Sequence, residues 1–109
     1  MNDVTAQQER AARNQMLFRS VNERIEELGE KVLTDAHELD FTCECADTEC
    51  TESITLTLPE FEAIRRIENQ FIIRPGHELP EVEDVMATRE SFLIVAKRGA
   101  GAEFVREHS

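Results

Sequence analysis

Apolar positions recur every three or four residues along the first third of the chain and every second residue just after it, so the pattern changes from helical to extended near residue 38. Asp3 to Leu33 is predicted as one long helix. Its first half, Ala6 to Gln15, is polar, while Leu17, Phe18, Val21, Ile25, Leu28 and Val32 form an apolar stripe. From Phe18 onward these residues step by three or four and share one face. The stripe covers only about two heptads, short of what sustains a coiled coil. It is therefore expected to pack on the chain's own domain, with dimerisation through the helix as the alternative.

A linker at Thr34 to Glu38 leads to Leu39-Asp40-Phe41-Thr42-Cys43-Glu44-Cys45, whose strict alternation predicts a strand with Leu39, Phe41, Cys43 and Cys45 on one side. Ser53 to Leu56 resumes the extended pattern, making 46–51 the turn of a hairpin. Thr57-Leu58-Pro59-Glu60 reads as a capping box opening a helix, with Phe61, Ile64 and Ile67 turned to the sheet. Residues 71–74 and 92–97 are short β-rich runs, the second nearly continuous in apolar residues. Between them Pro80, followed by Glu81, Glu83 and Asp84, predicts a short helix with Val82, Val85 and Met86 inward. The tail from Gly99, with Gly101, Phe104 and Val105, is either a short docked helix or disordered.

These elements predict an α+β domain: a long N-terminal helix on a small, mostly antiparallel sheet of about four strands. The expected division is 1–16 as a polar helical extension or arm, 17–98 as the folded domain and 99–109 as a C-terminal tail.

The hairpin turn carries the chemistry. All three cysteines, Cys43, Cys45 and Cys50, fall within eight residues, and Pro75-Gly76-His77-Glu78 follows. Three thiolates and one imidazole are a common structural zinc set. Cys43 and Cys45 project to one side of a strand, Cys50 can return across the turn, and Pro75 with Gly76 lets the chain bend so that His77 supplies the fourth donor. Glu78 or a backbone carbonyl is expected to hold the other ring nitrogen. His37, His108, Asp47, Glu49 or a water are the rival fourth ligands. An odd cysteine count, with two cysteines one residue apart, suits thiolate ligation in a reducing compartment better than disulfides. Cysteines buried as small core residues are the plain alternative.

Charge narrows the function. With 23 acidic against 12 basic residues, the formal charge is −11. Such a surface repels phosphate backbones and anionic lipid, so direct nucleic-acid or membrane binding is disfavoured and a protein partner with a basic surface is favoured. No apolar run approaches the ~20 residues of a membrane span, and the N-terminus lacks a signal-peptide core, which predicts a cytoplasmic protein. Acids around the sulfurs (Glu44, Asp47, Glu49, Glu52) argue against a thiolate nucleophile.

The segments Phe18-Arg19-Ser20-Val21-Asn22-Glu23-Arg24-Ile25, Phe41-Thr42-Cys43-Glu44-Cys45-Ala46-Asp47 with Cys50-Thr51-Glu52, Leu56-Thr57 before Phe61-Glu62-Ala63-Ile64-Arg65, and Pro75-Gly76-His77-Glu78 together resemble a family of small, acidic, uncharacterised bacterial proteins. The likeness runs over about residues 17 to 97 and joins cysteines and histidine in one pattern, which implies a shared metal site. It implies no activity. The expectation is a non-catalytic, zinc-stabilised interaction module, monomeric or homodimeric, with a zinc–thiolate redox or metal sensor as the alternative.

Overall fold

The computed structural model describes residues 3–32 and 37–108. Its elements are α1 (Asp3–Val32), β1 (Glu38–Thr42), β2 (Ser53–Thr57), α2 (Leu58–Arg65), β3 (Gln70–Ile73), β4 (Glu83–Thr88), β5 (Leu93–Lys97) and α3 (Gly99–His108). They form an α+β fold with an N-terminal helix and two antiparallel sheets: the hairpin β1–β2, and three strands in the order β3–β5–β4. Leu33, the expected last residue of α1, lies outside the described residues.

Alternation sets the hairpin register. Phe41 pairs with Ile54 and Leu39 with Leu56, bringing apolar side chains to one face. Phe41 stacks on Phe61 of α2, with ring centroids 4.5 Å apart. The cap of α2 is as expected: Glu60 N–H donates to Thr57 Oγ1, and Thr57 N–H to the Glu60 carboxylate. In the second sheet Phe71 pairs with Val95 and Ile72 with Ile94, and all four are buried.

The segment after Pro80 differs from its sequence pattern. Leu79 to Val82 form a single turn, in which Leu79 C=O accepts from the amides of Val82 and Glu83. The chain then enters β4 rather than a helix. Proline followed by acids starts one turn as readily as a helix. Here the Glu83 carboxylate takes the Leu79 amide at 2.8 Å and pairs with Lys97 at 3.4 Å, and Glu83 and Lys97 are also register partners. Val85 and Met86, expected inward, are exposed on this edge strand beside a bulge between Val85 and Ala87. The tail forms a docked helix. A side chain at Gly101 would stand 3.4 Å from the Gln8 carbonyl, so α3 approaches α1 closely there.

The face that α1 buries also differs from the one its apolar stripe predicts. Ala12, Gln15, Arg19, Asn22, Glu26 and Gly29 point inward, whereas Leu17, Val21 and Leu28 are about half exposed at 58%, 44% and 49%. Ile25 is half-buried against the core. Only the Phe18–Ile25 border of the apolar stripe meets the body, because the surface beneath α1 is rich in polar groups that need partners. Asn22 exchanges hydrogen bonds with the Thr42 backbone, Glu26 forks onto Arg65, and Gln15 donates to Glu83.

Arg19 and Glu44 close the outer edge of β3. The Glu44 amide donates to Ile72 C=O and its carboxylate receives the Ile72 amide, Arg19 donates to Gln70 C=O, and the Arg74 amide donates to Cys43 Sγ. The groups a neighbouring strand would satisfy are thus met by one tripeptide and one helix side chain.

Candidate metal centre

The centre lies where the hairpin hands the chain to the second sheet. Past β1, the Cys43 amide still bonds Glu52 C=O across the hairpin, at 3.0 Å, while the next amide, Glu44, crosses to Ile72 C=O at 2.7 Å. Cys43, Glu44 and Cys45 therefore straddle two sheets in extended form, with successive side chains to opposite sides. Asp47 makes the knuckle: its carboxylate accepts the Glu49 amide and its carbonyl the Cys50 amide, which returns Cys50 toward the strand. The His77 amide bonds Arg74 C=O in a turn whose Gly76 has φ of 93°, a conformation that favours glycine.

These turns bring together the four residues expected from sequence. One donor atom each from Cys43, Cys45, Cys50 and His77 lie within 4.8 Å of one another. His77 Nδ1 is 3.6 Å from both Cys43 Sγ and Cys50 Sγ. Cys43 and Cys45 are buried; Cys50 and His77 are half-buried. The four side chains are positioned to bind a metal ion.

Burial also sets how tightly these thiols hold their protons. Burial pushes the Cys43 thiol far up, with the Arg74 amide partly offsetting it and Cys45 and Cys50 adding repulsion. Burial likewise raises Cys45, whose Sγ contacts the Asp47 carbonyl at 3.8 Å. Such thiols give up their protons when a cation stands among them, so metal uptake and proton release are linked.

The shell around the donors differs from the sequence expectation. The partner of His77 Nε2 is Glu52, at 3.1 Å, not Glu78 or a carbonyl. Glu78 accepts the Gly76 amide instead. Glu52 is also held by Arg74 Nε at 3.3 Å, so its carboxylate fixes the ring through Nε2 and leaves Nδ1 facing the cysteines. Glu52 follows Cys50 by two residues, and that alternation could have revealed it.

Glu44 does not face the sulfurs either. It is fully buried on the opposite side, receiving Arg19 Nε at 2.8 Å, Arg19 Nη2 at 3.0 Å, Asn22 Nδ2 at 2.9 Å and the Ile72 amide at 3.0 Å. Arg19 in turn lies over the Phe71 ring, 4.6 Å from its centroid. The residue between two donors is thus the anchor of α1.

The rival ligands stand elsewhere. His108 bonds the Phe104 carbonyl and stacks on the Phe104 ring. His37 is exposed just before β1, and Glu49 is exposed on the knuckle. A second group, Glu26, Glu30 and Glu62, also converges, but Glu26 is already bound by Arg65.

Comparisons with family models, curated proteins and solved structures find no match to this chain. The site's chemistry must be read from its own donors. Three thiolates and an imidazole can fill a tetrahedron from protein atoms alone, joining residues 34 apart. Among the described residues, no helix is long and apolar enough to cross a membrane.

Proposed function

We propose that the cluster is a structural zinc site and that the chain is a non-catalytic, zinc-stabilised interaction module. The observation that carries this is the 3.6 Å separation of His77 Nδ1 from two cysteine sulfurs. Bonds of about 2.3 Å to sulfur and about 2.05 Å to nitrogen at tetrahedral angles put those donors ~3.6 Å apart. The soft, thiolate-rich donor set favours zinc over oxygen-loving cations. Four protein donors leave no position for a substrate, and three thiolates blunt the Lewis acidity that hydrolysis needs. The metal's role is then to tie the hairpin to the segment after β3. The charge of −11 supports a protein partner with a basic patch and disfavours direct nucleic-acid binding.

The test is elemental analysis with native mass spectrometry on wild type and His77→Ala. One zinc per chain, lost or at least tenfold weaker in the variant, is expected; a metal-free, stably folded wild type with three free thiols would overturn the reading. Half-exposed Cys50 beside two buried ligands supports a second reading, a zinc–thiolate redox sensor. Full zinc retention after mild peroxide would remove it.

A further inference from the structure

The sheets take the polar face of α1, and among the described residues no element covers the apolar seam this leaves. Phe18, Val21, Ile25 and Leu28 alternate by three and four, with Leu17 beside them. Val21, Leu28 and Leu17 are exposed, while Phe18 and Ile25 form the half-buried border toward the body. Leu17 to Leu28 spans roughly 16 Å of helix, three turns. This is the spacing with which one helix packs along another.

Charge identifies what fits it. On the solvent side the seam is flanked by Arg10, Arg24 and Lys31, all exposed and seven residues apart in line with Leu17, which is a quarter of the chain's 12 basic residues in one row of a protein with net charge −11; Arg13, one row further round, lies over the Phe104 ring of α3. Arg24 has a salt bridge to Glu27 at 3.0 Å, with both side chains largely exposed, and such a pair holds its cation weakly. A second copy is a poor occupant. In an antiparallel pair the two basic flanks would face each other. In a parallel pair each basic flank would need the partner's opposite flank, where Gln15, Asn22 and Gly29 are buried against the body.

We infer that the exposed seam of α1 is a docking surface for an amphipathic helix whose apolar stripe is bordered by Asp or Glu. This deepens the reading of the chain as an interaction module and rests on it, adding a local preference opposite in sign to that of the whole surface. The apolar area is small, so the contact belongs among weak, transient ones, with affinity on the order of micromolar. Its charge component should weaken as salt rises.

The probe is a fluorescent four-heptad synthetic helix with Ile and Leu at its core positions and Glu at the flanks, compared with a twin carrying Lys there. Anisotropy titrations use the full chain at physiological salt, with light scattering for mass and mass spectrometry for metal. Saturable binding of the Glu peptide, at least tenfold tighter than the Lys twin, is expected. Leu17→Ser/Val21→Ser/Leu28→Ser, all at exposed positions, should lose at least tenfold with an unchanged circular dichroism spectrum. Arg24→Glu/Lys31→Glu should reverse the peptide preference, an effect general stickiness would not produce. Equal binding of both peptides, binding indifferent to the triple variant, or self-association that the triple variant abolishes would each overturn the inference. Failed binding by zinc-loaded protein counts against this surface alone, whereas a missing zinc counts against the structural-zinc reading alone.

Discussion

Glu44→Ala is the most revealing single change, because Glu44 sits between two metal donors yet does its work on the other side of the chain. Truncation removes four hydrogen bonds. Asn22 keeps the Thr42 carbonyl, but the Ile72 amide loses its carboxylate, and Arg19, a residue 7% exposed, keeps among the described residues Gln70 C=O and the faces of Phe61 and Phe71. Leaving one partner of such a buried pair typically costs about 3–5 kcal/mol. A domain of this size has about 5–15 kcal/mol in all. With a urea slope of about 1.5 kcal/mol/M, the midpoint should fall by roughly 2–3 M. The assay is urea unfolding of metal-loaded protein followed by circular dichroism, run also on Arg19→Met and on the double variant. The double variant should be more stable than the sum of the single losses predicts, by about 2 kcal/mol or more, because no buried charge is left unmatched. A loss below about 1 kcal/mol for Glu44→Ala, or strictly additive losses, would refute the assignment of Glu44 as the anchor of α1.

Glu52→Gln keeps the shape of the group beside His77 but removes its charge; metal affinity, measured by competition with a chromogenic chelator, should drop about 10–100-fold with little change in fold. Burial lowers the Lys97 pKa from 10.5, with Glu83 opposing the shift. The unfolded chain therefore holds this proton more tightly than the native one, and the contribution of Lys97 to stability should rise with pH through the interval below 10.5. Urea titrations of metal-loaded wild type and Lys97→Met should show the difference moving in favour of wild type as pH rises from neutral; an unchanged or opposite difference would contradict the shift.

What the sequence revealed was local. The span of α1, the β1–β2 hairpin and the Thr57–Glu60 cap follow from short-range periodicity and turn chemistry. The cluster of candidate donors was legible because three cysteines within eight residues of a polar segment are unusual, and Pro75-Gly76 marks the bend that delivers His77. The orientation of α1 was not legible. Its inward residues are polar, and their partners are distant: Arg19 meets Glu44 across 25 residues and Gln15 meets Glu83 across 68. An apolar stripe is ordinarily the best guide to a buried face, and here the polar groups beneath the helix outweighed it. β4 was not legible either, because proline followed by acids serves a single turn as well as a helix, and the pull of Lys97 on Glu83 comes from another strand.

The outer edge of β3 lies beside the proposed metal centre. Phe71, Ile72 and Ile73 are an apolar run guarded on that side by Cys43, Glu44 and Arg19 instead of by a strand. These guards are aligned by the same tripeptide that supplies two donors. If the cluster holds zinc as proposed, stripping it should loosen that tripeptide and uncover a short, uncharged strand edge of the kind that recruits identical copies. Loss of the ion would then appear as turbidity at concentrations where the loaded protein stays clear, and the centre would act as a guard against aggregation as well as a staple.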